Sequence, residues 1–177
     1  MAKPLPVEPV KFFVAVLYRQ DELLDAACRA LTARWGELDY RGEKHPFNFT
    51  EYYRDEMGEG LVRLLVSFHR LMLPTELVAM KHGCNTIEET LAIEGKRQVN
   101  LDCGYLDHHK VVLASMKGAG HKLYLGDGVW GDFTCRWRDG TFQPFDWSFP
   151  DFKEGVYSGD LAFIRSRFLA QRRGERK

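Results

Sequence analysis

The sequence has no apolar stretch of about 18 residues, and its most hydrophobic run, "FFVAVLY", is only of strand length, so no membrane-spanning helix and no membrane partner are expected. It also lacks a GxxxxGK[ST] loop, which excludes a P-loop phosphate site, and a GxGxxG turn, which argues against a Rossmann site. Charge of one sign is missing as well: 25 Lys and Arg balance 25 Asp and Glu, so no strong nonspecific attraction to DNA is expected. The four cysteines, at 28, 84, 103 and 135, form no CxxC pair and match no zinc-ribbon or finger spacing. With no secretory leader legible, they read as buried small hydrophobes in a reducing, cytoplasmic setting. Low-complexity segments and internal repeats are absent too.

What remains is the composition of one folded domain. With 177 residues, 45% of them hydrophobic and 13% aromatic, residues 1–177 are expected to bury roughly two-thirds of the unfolded surface around a single core. Residues 1–10, with three prolines, read as an extended lead-in, and the basic stretch from Arg165 reads as a helix end fraying over 172–177.

"KFFVAVLY" (11–18) is apolar throughout, as in a strand buried on both faces. Leu23, Leu24, Ala27, Cys28, Leu31 and Trp35 then form one helical stripe, with Asp21 as expected N-cap and Gly36 as the stop. "ELDYR" (37–41) reads as a second strand and "TEYYRDEM" as one or two helical turns. In "LVRLLVSFHRLML" the alternation of Val62, Leu64, Val66 and Phe68 favours a third strand over a helix. After Pro74, Leu77, Met80, Cys84, Ile87 and Leu91 recur at helical spacing, with Gly83 as a possible break. Short strands follow at 97–106, 110–117, 121–125 and 129–137, punctuated by hairpin turns, then an extended aromatic segment "FDWSFPDF" and a closing helix from Gly159. The order strand, helix, strand, strand, helix, strand predicts an α+β fold: a ferredoxin-like βαββαβ core with helices on one sheet face, extended by C-terminal antiparallel hairpins and the closing helix.

The chemistry concentrates in the second half. Asn and Asp are depleted in strands because their side chains compete for the backbone, so Asn100 and Asp102 two residues apart need a reason. Alternation puts Val99, Leu101 and Cys103 on one face and Gln98, Asn100, Asp102 and Gly104 on the other. In 129–137 it sets Trp130, Asp132, Thr134 and Arg136 opposite an apolar row of Val129, Gly131, Phe133, Cys135 and Trp137. If the polar sides coincide, Asp102 and Asp132 would share a proton or, with Glu56, hold a Mg²⁺ ion; otherwise each pairs with a neighbouring cation on a solvated face. Lys81, Asn85 and Glu88 fall along one edge of their helical stripe, placed to contact a phosphate and to orient a hydroxyl. Alternatively, Asn85 and Glu88 form a capping box that restarts a helix broken at Gly83. In "KGAGH" a turn brings Lys117 close to His121, and its glycines expose N–H groups suited to an anion or simply make the turn.

These stretches also carry a resemblance. "FNFTEYYRDEMG", "LPTELVAMKHGCNTIEE", "RQVNLDCGYLDHHKVVLASMKGAGHKLYLGDGVWGDFT" and "FDWSFPDF" are similar to a bacterial family, domain-of-unknown-function family 4416, over nearly the whole chain. The chain departs from that pattern at Cys103, where Pro is expected, and at Cys84, where Thr is usual, which argues against either thiol as a nucleophile. Asp132 stands for Glu and keeps the carboxylate with a shorter reach, while Trp130, Ser148 and Phe149 replace residues of like kind. The resemblance implies no established activity; some relatives carry a GTP-binding label.

The expected function is recognition of a phosphate-bearing ligand, a nucleotide or an RNA element, in a polar cleft on the sheet. Lys81, Arg97, Lys117 and His121 would contact anionic oxygens, and Asn85 and Asn100 would orient the ligand. Glu88, Asp102, Asp132 and His121 are the expected catalytic acids and bases, and Glu56, Asp102 and Asp132 the metal ligands. The alternative is a non-enzymatic interaction or homo-oligomeric protein that meets its partner through Phe47, Phe49, Tyr52, Tyr53, Trp147 and Phe149.

Overall fold

A computed structural model of the chain describes residues 1–174. Its centre is β1 (Lys11–Tyr18), every residue of which is buried, as its unbroken apolar run requires. β4 (Val62–Phe68) and β5 (Val99–Leu106) flank it, both antiparallel, so that Ala15 faces Leu65 on one side and Asp102 on the other. β2 (Leu38–Arg41) and the two-residue β3 (His45–Pro46) line the outer edge of β4. Beyond β5 come β6 (Lys110–Ser115) and then β8 (Val129–Arg138), whose far edge is shared by β7 (Leu123–Gly126) and β9 (Thr141–Pro144).

The result is a mixed α and β protein on one nine-stranded antiparallel sheet with the order β2-β4-β1-β5-β6-β8-β7. That order differs from a four-stranded sandwich because the C-terminal hairpins continue the same sheet past β5. A second correction concerns the layers. α1 (Asp21–Trp35) and α3 (Leu77–Thr90) cover one face, packing Leu24, Leu31, Leu77 and Met80 on Phe12, Val14, Leu64 and Val66. The other face is not left to hairpins: α5 (Ser158–Gly174) and the short α4 (Pro150–Lys153) close it with Phe152, Leu161, Ile164 and Phe168 against Phe13, Ala15, Leu65 and Leu113. Helices on both faces are why β1 needs no polar residue between Phe12 and Leu17. Each fully buried Leu or Phe adds roughly 1.5–3 kcal/mol.

Local expectations shift in several places. Gln20 is the N-cap of α1, while Asp21 lies in its first turn and pairs with Lys44 at 2.7 Å. α3 runs unbroken through Gly83, where a Cβ would lie 2.6 Å from the Trp35 ring; the glycine serves contact with α1, not a break. Asn85 and Glu88 therefore lie within one continuous helix, far from its N-terminus, and form no capping box. The "TEYYRDEM" turn is α2 (Arg54–Met57), and "FDWSFPDF" ends in α4 where full extension was expected. The basic segment stays helical through Arg172 and Arg173 to Gly174, so it does not fray there; residues 175–177 of the expected tail lie outside the described residues.

Candidate functional site

β5 and β6 are paired for only three residues, Leu106↔Val111, Tyr105↔Val112 and Gly104↔Leu113, and then part. Gly104 sits at the last pair, where a Cβ would lie 2.4 Å from the Val112 carbonyl oxygen. From there the rest of β5 has no strand on its outer edge, and α3 supplies the missing partners. Lys81 Nζ donates to the Leu101 carbonyl at 3.2 Å, and the Leu101 amide donates to Glu88 Oε1 at 2.6 Å. An unpaired buried amide would cost about 1–3 kcal/mol, which is a local reason for a Lys and a Glu two turns apart on this helix edge.

The parting opens a cleft of about 850 Å³ in which side chains from both sheet faces meet. Lys81, Asn85 and Glu88 line it from α3, Asn100 and Asp102 from the opposite face of β5, and Asp132 from β8. Glu56, Arg97 and Lys117 complete the expected set at its rim. His121 does not line the cleft but lies behind Asp132, its Nε2 3.6 Å from Asp132 Oδ1, in a turn; β7 begins only at Leu123, so His121 does not open that strand.

Most of these charges are engaged with one another. Arg97 donates to Asn100 Oδ1 at 2.8 Å and to Glu56 at 2.5 Å, and lies 3.5 Å from Glu88. Asn100 passes the chain on to Asp102 Oδ2 at 2.9 Å. Asp102 also takes Arg63 Nη2 at 3.0 Å, whose Nη1 reaches Asp151 at 2.7 Å. Burial opposes the charge of Arg63, but Asp102 and Asp151 together raise its pKa. Burial likewise pushes Lys81 down, and Asp102, Cys103 and Glu88 carry it above its ordinary value, while burial leads in raising Glu88. Partial burial, and then the charge of Asp102, push Tyr53 up to about 12.

The carboxylates do not form the expected magnesium site. Glu56 is held by Arg97, Asp102 by Arg63 and Asn100, and Asp132 by Lys122 at 3.2 Å. Among the described residues no group of three His, Cys, Asp or Glu side chains is placed to hold a metal ion. The shared-proton arrangement of Asp102 and Asp132 has no support either, since each has its own cation. All four cysteines are free and buried; Cys84 is raised by its hydrogen bond with Cys103 and by burial.

Strand alternation placed Asp132 correctly but failed beyond it. Val111 faces Cys135 and Val112 faces Phe133, so Thr134 is an extra residue, and past this bulge Cys135 and Trp137 turn to the α5 side while Phe133 packs with the α1 side. The carbonyls at the bulge are taken by Ser148 and by the Trp147 indole. Sequence reasoning also missed Arg63, Lys122, Ser115 and Asp151. Arg63 had a signal, as the lone charge in "LVRLLVSF".

The aromatics divide. Phe47, Phe49 and Tyr53 pack with Leu17, Met57 and Leu61 in a small core beside the cleft. Tyr52, Trp147 and Phe149 are exposed. Tyr52 meets Lys117 across the cleft mouth, with Nζ 3.3 Å from the hydroxyl and 4.6 Å from the ring centre, and the hydrogen bond from Lys117 lowers the tyrosine pKa.

A family model described as domain of unknown function (DUF4416) matches residues 8–168. No curated protein and no solved structure matches the chain.

Proposed function

Because the chain belongs to the DUF4416 family, whose description assigns no activity, the reading must come from the cleft, and we propose that it binds a small phosphate-bearing ligand of nucleotide size. One observation carries this: Lys117 stands at the cleft mouth with no carboxylate in ion-pair range among the described residues, against the face of Tyr52, in a cleft that Phe49 and Phe149 also line. A free cation beside aromatic rings suits a phosphate joined to a flat ring. The volume of about 850 Å³ lies within the range of small-molecule sites.

Charge balance favours a small ligand over RNA. The cations Arg63, Lys81, Arg97, Lys117 and Lys122 are outnumbered by Glu56, Glu88, Glu89, Asp102, Asp132 and Asp151, which would repel a run of phosphates. The neighbour order β2-β4-β1-β5, with α1 and α3 on one face, supports reading that half as a ferredoxin-like unit. Four free thiols support a reducing compartment such as the cytoplasm.

A thermal-shift panel of nucleotides tests the reading. A ligand at a hundred times its Kd adds about 2.7 kcal/mol of stability, a rise of several degrees at this chain length. Lys117→Ala should abolish that rise while leaving the unliganded melting temperature in place. An unchanged rise in the variant overturns the assignment. Protein association through the exposed Leu123, Tyr124 and Leu125 of edge strand β7 would instead show as a larger hydrodynamic size that mutation of those residues reduces.

A further inference from the structure

Lys81 is 7% exposed and lines the cleft, yet among the described residues no carboxylate lies in ion-pair range of it. Its hydrogen bond goes to the Leu101 carbonyl at 3.2 Å, which leaves two of the three ammonium N–H bonds unused. Asp102 and Glu88 act on the ammonium from further off, and each already has an arginine: Asp102 takes Arg63 at 3.0 Å, and Glu88 faces Arg97 at 3.5 Å. Four residues on, along the same edge of α3, Asn85 is half-buried in the cleft wall, and its side-chain amide makes no hydrogen bond among the described residues. Spare donors on a buried cation and a spare planar amide are thus neighbours on one wall.

Their chemistry restricts what can sit there. A phosphate satisfies Lys81, but it meets the field of Asp102 and Glu88 and gives the Asn85 carbonyl oxygen no donor. A planar group with a donor and an acceptor side by side pairs with both halves of the Asn85 amide at once. Flat heterocycles carry two such edges: a lactam, with a ring carbonyl beside a ring N–H, and an amidine, with an amino group beside a bare ring nitrogen. Asn85 pairs with either by turning its amide over, so the choice falls to Lys81, which only donates. The lactam oxygen has two lone pairs and accepts from Asn85 and Lys81 together. In the amidine the single lone pair of the ring nitrogen is spent on Asn85, and the amino group has none for Lys81. Arg97 links this wall to the cleft mouth: it lies close enough to the Tyr52 hydroxyl to help lower its pKa, that hydroxyl meets Lys117 at 3.3 Å, and Nη1 is 3.5 Å from Glu88, one turn beyond Asn85.

We infer that Lys81 and Asn85 form a base-reading subsite, so that the ligand of the cleft is a nucleotide whose base presents a lactam edge. This rests on the phosphate-binding reading above. Exchanging the lactam for an amidine leaves the Lys81 donors unpaired in a buried setting, a discrimination of roughly tenfold or more.

Titration calorimetry on the full chain tests it with two matched pairs, uridine against cytidine 5′-monophosphate and inosine against adenosine 5′-monophosphate, in which sugar and phosphate are the same and the edge differs. In the better-binding pair the lactam member is expected to bind at least about tenfold tighter. Asn85→Ala, which removes no hydrogen bond of the folded chain, should weaken that binding and leave the melting temperature in place. Equal affinity within both pairs, or preference for the amidine member, overturns the subsite and leaves the phosphate reading standing, and it requires no variant to fold. Lactam binding that Asn85→Ala does not weaken also overturns the subsite. Uridine or inosine that binds as tightly as its phosphate, with Asn85 dependence, keeps the subsite and overturns the phosphate reading. Failure of every probe to bind overturns both.

Discussion

Two buried carboxylates on the same sheet face, Asp39 and Asp132, are handled in opposite ways. Asp39 Oδ1 accepts Ser67 Oγ at 2.6 Å, and Oδ2 accepts Lys11 Nζ at 2.5 Å and Arg167 Nε at 3.1 Å; Gln171 takes a further Lys11 bond at 2.9 Å. Asp132 has Lys122 at 3.2 Å on one oxygen and only the His121 ring, at 3.6 Å and without a hydrogen bond, beside the other. The first cluster joins β1, β2, β4 and α5 and is complete. The second lies where the sheet has parted, and it is held by two contacts where the first has four hydrogen bonds. Saturation marks a polar group that holds the fold, and a buried oxygen short of hydrogen bonds marks one that contributes less to it.

Replacing each Asp by Asn breaks the comparison most directly, with the larger effect at the closed cluster. Asp39→Asn places an amide among three donors and strands the Lys11 charge, so a loss of about 3–5 kcal/mol is expected in urea unfolding. A loss below about 1 kcal/mol would show that the cluster is not what ties α5 to the sheet.

The next test is the pH dependence of stability, in which Asp39 and the cleft residue Glu88 should have opposite signs. Burial pushes Asp39 up, but hydrogen bonds from Lys11 and Ser67 pull it below its ordinary 3.8. Its contribution is present above 3.8 and lost as the pH falls through the lowered folded value, so Asp39→Asn should flatten the acid limb. Glu88 is raised above 4.5 by burial, against the Leu101 amide and Lys81. Its contribution is present below 4.5 and lost as the pH rises through the raised value, so Glu88→Gln should gain on the wild type across that rise. Urea melts between about pH 3 and 7 read both slopes, and slopes of the same sign would collapse the distinction.

Asp132→Asn is the smallest effect. The amide oxygen keeps the Lys122 contact and its nitrogen can donate to His121, so unfolding should change by about 1 kcal/mol or less. A loss as large as that of Asp39→Asn would place Asp132 in the framework and remove the contrast.

Much of the site was legible in the sequence because it depends on period. A two-residue repeat put Asn100 and Asp102 together, and a 100° turn put Lys81, Asn85 and Glu88 on one edge, which the structure sets across the same cleft. What period could not convey was where a repeat slips or stops. The Thr134 bulge reverses the phase of β8, and the parting of β5 from β6 depends on pairing between distant residues. The second helical layer was missed for a related reason: α5 was read as a closing helix, but nothing local says which face it closes. Of the two readings of the carboxylates, pairing with a neighbouring cation is the one observed, but the cation on Asp102 is Arg63, buried in a strand, and not a residue of a solvated face.

The side-chain clasp on Leu101 also has a mechanical consequence. β5 is laced to β1 along one edge and to α3 along the other, so β5 and α3 form a single panel, and β6 with β8 forms a second. The two panels share a three-residue seam ending at Gly104. Widening the gap beyond that seam breaks no ladder bond between β5 and β6, so what holds the cleft's width is side-chain contact, His82 on the Asp127 carbonyl at 2.9 Å and the packing of α3 on Val112 and Ala114, while the amide of Leu101 stays shielded from hydrogen exchange until α3 itself lifts away.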